Sequence, residues 1–258
     1  MTRARLAAAQ ATSPELLLRK ATLARTSGAR AKYAQRGLEQ GAALDETTRT
    51  MLLRQLYLSH MEARRFDEAR AVAEQMITCD VMPDVARQDA ARACLGLGDT
   101  DAAIQHLRIA SRVSPAARRA FHLWTLGSVL YLNGRPRDAV GALSRALRWG
   151  TTDKPLYAAQ AALARLAAGE PIDDGWSALR EELADAACGQ GYGQFVLGEL
   201  AFAEGDLDAA RRYLSAFLRR TQEGRVALQV ALAGETARAA ELLQRIRAQS
   251  PAKTRSGR

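Results

Sequence analysis

GDTDAAIQHLRIASRVSP, residues 98–115, is the stretch that decides the fold predicted for this chain. Ala103, Leu107 and Ala110 follow one another at intervals of four and three residues, so a helix places them on one face. The glycine that opens the stretch can end a preceding helix in a backbone conformation that is costly for other residues, and Asp99 can cap the next helix. The stretch therefore predicts the second half of a helix–turn–helix unit.

The same pattern recurs along the chain. Small anchor residues on the second helix of each unit are spaced by 34 to 36 residues, apart from a last interval of 29. The anchors are Ala34, Ala69, Ala103, Ala139, Asp174, Ala210 and Ala239, where Asp174 stands in for an alanine. Turn glycines precede five of them by five residues, at Gly98, Gly134, Gly169, Gly205 and Gly234. A period near 35 predicts an all-α solenoid of stacked antiparallel helix pairs.

The anchors divide the chain into seven repeats, numbered 1 to 7 here. Their ranges are about 14–41, 46–80, 84–113, 116–149, 154–188, 190–220 and 223–248. Repeat 5 is degenerate, because Pro171, Asp173, Asp174 and Gly175 crowd its turn, and we expect it to be the least stable. We interpret its two aspartates as a helix cap. The alternating glycines of GQGYG, residues 189–193, indicate a flexible joint between repeats 5 and 6.

The ends of the chain and its composition suggest a soluble domain. The repeat domain covers 14–250, and we expect residues 1–13 and the basic tail 251–258 to be disordered. The three cysteines are far apart with no Cys-x-x-Cys motif, which is typical of a reducing compartment. No apolar run is long enough for a signal peptide or a membrane span, so we expect a cytoplasmic protein.

Nothing in the sequence indicates catalysis. His60, His106 and His122 lie on separate repeats without metal-ligand spacing. There is no nucleophile–base pair, no metal-binding set and no phosphate-binding loop after a strand. We therefore expect no enzymatic activity, no metal and no cofactor. Cys94 falls on the apolar stripe of its helix, where we expect a small core residue.

Four segments resemble tetratricopeptide repeats: GDTDAAIQHLRIASRVSP, NGRPRDAVGALSRAL, EGDLDAARRYLSAFL and AGETARAAELLQRIRAQSP. The resemblance covers about 14–250. The family's small residue where paired helices cross is kept as Ala91, Gly127, Ala162 and Gly198, whereas its aromatic near the start of the first helix is replaced by Leu18, Leu53 and Leu123. The resemblance implies a right-handed superhelix whose first helices line a concave groove, and a protein or peptide as the partner.

Applying the family's inward spacing to each repeat gives a candidate groove. Its residues are Arg19, Lys20, Arg54, Gln55, Arg92, Phe121, Trp124, Ser128, Tyr131, Tyr192, Phe195, Glu199 and Phe202, with Leu23, Leu58, Gln88, Asp89 and Thr125 beside them. The basic N-terminal part could pair with carboxylates, and the aromatic part could anchor apolar side chains. Two alternatives stay open: the aromatics could fill gaps between repeats, and the basic residues could simply face solvent.

Three other interpretations of the groove are a carboxylate clamp, a polyanion-binding surface and an RNA code. A clamp for a terminal carboxylate, as in some tetratricopeptide domains, is not predicted, because Leu23 and Asp89 stand where an asparagine and a cation are needed. The net charge of +9 leaves polyanion binding open, through the basic N-terminal face. A base-by-base RNA code is not indicated, since the corresponding positions hold Arg19, Arg54, Gln88, Trp124, Ala159 and Phe195. The leading expectation is a scaffold or adaptor, serving as a chaperone, an assembly factor or a regulator.

Overall fold

The computed structural model describes residues 13–41, 44–170 and 175–249. Within these ranges the chain forms fourteen α-helices and one short 3-10 helix, and no β-strand. The prediction of an all-α fold is therefore confirmed. The chain divides into two compact units at Arg118.

The N-terminal unit is built from six helices and the first residues of a seventh. They are α1 (Pro14–Leu23), α2 (Ser27–Leu38), α3 (Glu46–Glu62), α4 (Phe66–Cys79), α5 (Pro83–Gly96), α6 (Thr100–Val113) and the start of α7 (Ala116–Leu132). From α1 to α6 each helix packs on the one that follows it, and the first helices of repeats 1 and 2 also contact each other. This is the arrangement of stacked helix pairs that the period predicts.

The C-terminal unit contains the rest of α7 and seven further α-helices. They are α8 (Pro136–Trp149), α9 (Lys154–Ala167), α10 (Trp176–Asp185), α11 (Gly193–Glu204), α12 (Leu207–Glu223), α13 (Val226–Ala231) and α14 (Ala233–Gln249). A 3-10 helix, Ala187–Gly189, precedes α11. Helices α9 and α11, the first helices of repeats 5 and 6, contact each other directly. The unit therefore continues the same order of pairs.

The turns inside the repeats follow the sequence signals. Glycines with positive φ end the first helix at the positions predicted for repeats 3 to 6: Gly98, Gly134, Gly169 and Gly205. The residue after the glycine caps the second helix in repeats 3 and 6. Asp99 accepts a hydrogen bond from the backbone N–H of Ala102 at 3.1 Å, and Asp206 accepts one from that of Ala209 at 3.0 Å. Glycine and cap together fix where one helix stops and the next begins.

The prediction for Gly234 is wrong. Gly234 lies inside α14, and its φ is not among the positive values found in the described residues. The first helix of repeat 7 is only six residues long, so Leu232 alone separates α13 from α14. The turn thus falls before the glycine that the spacing predicts to form it.

The anchor residues lie where the two helices of a pair meet. The six alanine anchors, Ala34, Ala69, Ala103, Ala139, Ala210 and Ala239, have no exposed surface. The seventh, Asp174, lies outside the described residues, as do the proposed cap formed with Asp173, residues 1–12 and the tail 250–258. Cys94 is 1% exposed, so its assignment to the core is confirmed.

Close packing between paired helices explains the small crossing residues. A Cβ added to Gly127 would lie 2.5 Å from the Leu143 side chain, and one added to Gly198 would lie 2.5 Å from that of Leu214. Carbon atoms in contact are normally about 3.5–4.0 Å apart, so each leucine occupies the space that the glycine leaves free. The same contact joins α7 to α8 in repeat 4 and α11 to α12 in repeat 6.

Repeat 5 is the irregular part of the C-terminal unit. Helix α10 spans 10 residues, and Leu183 is its one buried residue. A cavity of about 440 Å³ lies between α8, α9 and α10, lined by residues that include Leu147, Ala162, Arg165, Ala178 and Leu179. The second helix of this repeat therefore leaves part of its partner uncovered.

The GQGYG segment forms a tight turn in front of α11. A Cβ on Gly189 would overlap the carbonyl oxygen of Leu183, and one on Gly193 would overlap that of Cys188. Gly191 between them has a φ of +62°. Packing and backbone geometry thus account for these glycines, and the expected flexibility of the joint stays a prediction.

Candidate functional site

In the N-terminal unit, the predicted basic residues fall into two groups. Arg19 and Lys20 on α1 are exposed. Arg54 on α3 donates a hydrogen bond from Nε to Oδ2 of Asp89 on α5 at 3.0 Å, and Nη1 of Arg92 lies 3.9 Å from Oδ1 of the same carboxylate. Asp89 is 2% exposed, so a buried carboxylate offsets part of the positive charge of these two arginines. The basic part of the candidate groove is therefore less charged than the sequence alone indicates.

Two polar positions of this part are less accessible than predicted. Gln55 on α3 is 8% exposed, which leaves little of it for a partner to contact. Tyr57, two residues further along α3, donates a hydrogen bond from its hydroxyl to the Asp89 carbonyl at 2.8 Å. Tyr57 lies in the contact between α3 and α5, whereas the assignment of Gln55 to a binding surface is wrong because its side chain is almost fully buried.

In the C-terminal unit, partly exposed aromatic side chains gather on the first helices. We call them the aromatic face, and they are Phe121, Trp124, Tyr131, Tyr192 and Phe202. The Trp124 and Tyr192 rings meet edge to face with centroids 4.8 Å apart, and Phe121 lies 5.8 Å from Trp124. Phe121 is 40% exposed, and the other four are half-buried. Five of the predicted aromatic residues are therefore at least partly accessible, and their role as part of a groove stays a prediction.

Three residues predicted to belong to this surface are buried instead. Phe195 has no exposed area and packs its ring 5.4 Å from that of Phe217 on α12. Ser128 is 4% exposed and Glu199 is 3% exposed. Their assignment as partner contacts is wrong, because a first helix in a stack has neighbours on several sides and exposes only a narrow strip. Spacing along one helix cannot separate that strip from the flanking buried positions.

A buried glutamine holds the aromatic face in place. Gln160 on α9 has no exposed surface, and its Oε1 accepts hydrogen bonds from the indole Nε1 of Trp124 and, at 3.3 Å, from the hydroxyl of Ser128. Its Nε2 donates to the Tyr192 hydroxyl at 3.0 Å, and that hydroxyl donates in turn to Oε1 of Glu235 at 3.3 Å. We call these groups the glutamine network. It joins α7, α9 and α14 with the residue that precedes α11.

A second group of hydrogen bonds surrounds Glu199, and we call it the carboxyl cluster. Oε1 of Glu199 accepts from the Tyr131 hydroxyl at 3.2 Å and from Nε of Arg238 at 3.1 Å. Arg238 also donates to Glu241 at 3.0 Å. Oε2 of Glu199 is buried and has no hydrogen-bond partner among the residues that the structure describes. The cluster joins α7, α11 and α14 beside the aromatic face.

Burial changes the acid–base properties of this cluster. It raises the pKa of Glu199 to about 7, although Arg238 and the Tyr131 hydroxyl act in the opposite direction. Burial, together with the nearby Glu199 carboxylate, also raises the pKa of Tyr131. An ionised carboxylate in a low-dielectric interior is costly unless hydrogen bonds satisfy both of its oxygens. In Glu199, Oε1 accepts both of the hydrogen bonds described above and Oε2 accepts none of them.

Sequence reasoning missed the residues that organise this site. Gln160 stands out only as the one amide in the alanine-rich segment YAAQAALA, and Arg238 lies on a second helix that the groove pattern does not include. Glu235 precedes Arg238 by three residues, which is the helical spacing for a shared face. A polar residue inside an otherwise apolar first helix was the available signal for Gln160.

The described residues show no arrangement for metal chemistry. They contain no group of three or more histidine, cysteine, aspartate or glutamate side chains placed to hold a metal ion. His60, His106 and His122 lie on α3, α6 and α7, and burial lowers the pKa of the first two. No helix in this part of the chain is long and apolar enough to cross a membrane.

No protein-family model and no curated protein sequence matches this chain. What the protein binds has therefore to be inferred from its own side chains.

Proposed function

We propose that this chain is a tetratricopeptide-like scaffold that binds a protein or peptide through the aromatic face of its C-terminal unit. The observation that carries the proposal is the contact of the Trp124 ring with Phe121 and Tyr192, together with the partial exposure of Tyr131 further along α7 and of Phe202 on α11. The chain has 5 phenylalanines, 3 tryptophans and 6 tyrosines, and five of these aromatic residues form the face. Aromatic side chains are enriched at the centres of protein interfaces, where they account for much of the binding energy.

The hydrogen bonds beneath the face support a binding role. Trp124 and Tyr192 direct their polar atoms into the glutamine network, and Tyr131 directs its hydroxyl to Glu199. Their rings are thereby held before a partner arrives. Ordering a side chain on binding costs about 0.5–1.5 kcal/mol, so a surface that is already ordered loses less affinity to that cost. We infer that the partner offers apolar side chains, which would cover Phe121 and Phe202.

The proposed role is that of a non-catalytic adaptor without cofactor, acting as a chaperone, an assembly factor or a regulator in the cytoplasm. The paired helices and their 35-residue period support the scaffold part of the proposal. Polyanion binding through Arg19 and Lys20 is the alternative, since both side chains are exposed. The two roles differ in their dependence on salt, because contacts to phosphates weaken steeply as salt increases.

The test is a pull-down from an extract of the source cells at moderate salt with matched single variants. Phe121→Ala and Phe202→Ala truncate the face. Trp149→Ala is the control, because Trp149 is 43% exposed on α8 and packs under Arg119 rather than in the face. We expect a protein retained by the wild type and by Trp149→Ala, and lost from both phenylalanine variants. Circular dichroism must first show that all three variants melt like the wild type.

Two results would contradict the proposal. Equal loss of the partner from Trp149→Ala would mean that the aromatic face has no special role. Nucleic acid recovered at low salt alone, and lost from an Arg19→Glu, Lys20→Glu variant, would favour the polyanion alternative.

A further inference from the structure

One feature of the C-terminal unit is not explained by the binding face: a buried carboxyl group that is only half satisfied. Glu199 is 3% exposed, and its two hydrogen bonds both go to Oε1. Oε2 is buried with no partner. Buried acidic groups normally have partners for both oxygens, because each unsatisfied atom costs free energy.

The surrounding groups do not supply what Oε2 lacks. Among the described residues, the titratable and charged groups that act most strongly on Glu199 are Tyr131 from α7 and Arg238 and Glu241 from α14, and Tyr192, the residue before α11, also faces it. Arg238 is the single cation among them. Its side chain is 33% exposed and is shared with Glu241, so its attraction to Glu199 is weakened by solvent and by a second carboxylate.

We propose that Glu199 is a proton-binding switch that sets how firmly α14 is held against α7 and α11. With the proton on Oε2, the carboxyl is neutral and the three helices pack closely around it. When the proton leaves for solvent, a full negative charge remains in the interior with one oxygen unsatisfied. The cluster then relieves the charge by opening and admitting water.

The direction of the pH effect follows from linkage. The pKa of Glu199 is about 7 in the folded chain and 4.5 when the group is free, so the closed cluster binds more protons than the open one between these values. The closed state is therefore favoured at low pH and loses that advantage as pH rises through 7. With these two pKa values, proton linkage predicts that the equilibrium constant for opening of the cluster rises roughly tenfold from pH 6 to pH 8.

The switch lies beside the aromatic face, but it does not depend on whether that face binds a partner. Tyr131 belongs both to the face and to the cluster, and Phe202 lies one turn beyond Glu199 on α11. Opening of the cluster would therefore change the position of these two residues and the affinity of a partner bound at the aromatic face. The switch itself is a property of the isolated chain, so its failure leaves the proposed function standing, and the reverse also holds.

The first test is a carbon-13 NMR titration of the glutamate carboxyl groups in the isolated full-length chain. The Glu199 signal is identified by its absence from Glu199→Gln. We expect a midpoint near 7, and a midpoint near the ordinary value of 4.5 overturns the proposal. Tyr131→Phe removes one donor to Oε1 and should raise the midpoint further. If Glu199→Gln does not fold, the Glu199 signal is identified as the one whose midpoint moves in Tyr131→Phe.

The second test is hydrogen exchange at pH 6 and pH 8, corrected for the intrinsic effect of pH on amide exchange. In the wild type, amides of α14 should exchange about tenfold faster at pH 8, which is the linkage prediction above. Glu199→Gln should abolish this difference, since glutamine cannot ionise. Glu241→Gln is the matched control, because it removes an exposed carboxylate from the same arginine and should leave the difference intact. An unchanged pH effect in Glu199→Gln overturns the proposal.

Discussion

Repeats 4 and 5 are neighbours in the C-terminal unit, yet their second helices are held in different ways. Helix α8 of repeat 4 spans 14 residues and buries Ala139, Ala142, Leu143 and Ala146. Helix α10 of repeat 5 spans 10 residues and has one buried residue, Leu183. The first helices do not share this difference, because α7 and α9 each bury eight residues.

Repeat 5 lacks a leucine that repeats 4 and 6 share. In repeat 4, Leu143 follows Gly127 by sixteen residues and fills the space beside it, and Leu214 stands in the same relation to Gly198 in repeat 6. The corresponding residue sixteen positions after Ala162 in repeat 5 is Ala178. Both alanines line the cavity of about 440 Å³. Ala178 is exposed, whereas Leu143 and Leu214 have no exposed surface, so repeat 5 has no buried side chain at this sequence position.

The comparison shows that first and second helices depend on different contacts. A first helix such as α9 is held by the neighbouring first helices, through Trp124 on one side and Tyr192 on the other. A second helix packs on its own first helix and on the first helix of the next repeat. A repeat can therefore lose its internal leucine while hydrogen bonds still hold its first helix beside the aromatic face.

Removing the leucine from repeat 4 should have the largest effect. Leu143 has no exposed surface, and Leu143→Ala leaves a cavity beside Gly127. Such truncations usually cost about 2–5 kcal/mol of unfolding free energy. The measurement is chemical denaturation followed by circular dichroism. Leu179→Ala, a half-buried position at the existing cavity, is the control and should cost less than about 1 kcal/mol. Similar losses for both variants would remove the distinction between the two repeats.

Native-state hydrogen exchange should show the contrast without any substitution. Amides of α10 should exchange roughly 10- to 100-fold faster than those of α8, because few buried contacts oppose local opening of α10. Exchange would be followed by mass spectrometry of peptides from each helix. Protection in α10 as strong as in α8 would contradict the view that repeat 5 is the weakest pair.

Restoring the leucine should make repeat 5 more like repeat 4. Ala178→Leu adds apolar volume to the cavity beside Ala162, and we expect an increase of about 1 kcal/mol in unfolding free energy. Exchange in α10 should slow at the same time. Ala178 is exposed at the edge of this cavity, and Ser177→Leu, at an exposed neighbouring position that does not line the cavity, is the control and should give no gain. A loss of stability in Ala178→Leu would mean that the cavity does not match a leucine side chain.

The smallest effect is expected from the ion pairs that tie α10 to repeat 6. Nη1 of Arg180 lies 2.8 Å from Oε2 of Glu204 and 2.9 Å from Oδ2 of Asp206. Arg180→Gln should speed exchange in α10 roughly two- to fivefold, as expected for a partly exposed ion pair. Arg211→Gln removes an exposed pair with Asp208 and serves as the control, with no change expected in α10. High salt should reduce the Arg180 effect, and a salt-independent effect would point to packing instead.

Local signals in the sequence were sufficient for the repeat architecture. Turn glycines such as Gly98 need a positive φ, caps such as Asp99 need a short acceptor, and anchors such as Ala103 need a small side chain. Each requirement is met within a few residues of chain. Gly234 shows the limit of such signals, because a glycine at the right spacing lies inside a helix when the preceding helix is short.

The candidate site could be predicted only in part. The sequence indicated Phe121, Trp124, Tyr131, Tyr192 and Phe202, which are all at least partly exposed. It also indicated Phe195 and Glu199, which do not belong to that surface, because helical spacing gives a direction around one helix and not the position of its neighbours. Gln160 and Arg238 were missed since their roles depend on side chains from other repeats.

The sequence by itself determined the helix pairs, their period and their close contacts, because these depend on residues near one another in the chain. The tertiary structure decided which first-helix residues are exposed and which buried polar groups find partners. It placed Gln160 between Trp124 and Tyr192, and it left Oε2 of Glu199 without a donor. Such outcomes depend on where helices from different repeats meet, and burial then sets the cost of each unsatisfied atom.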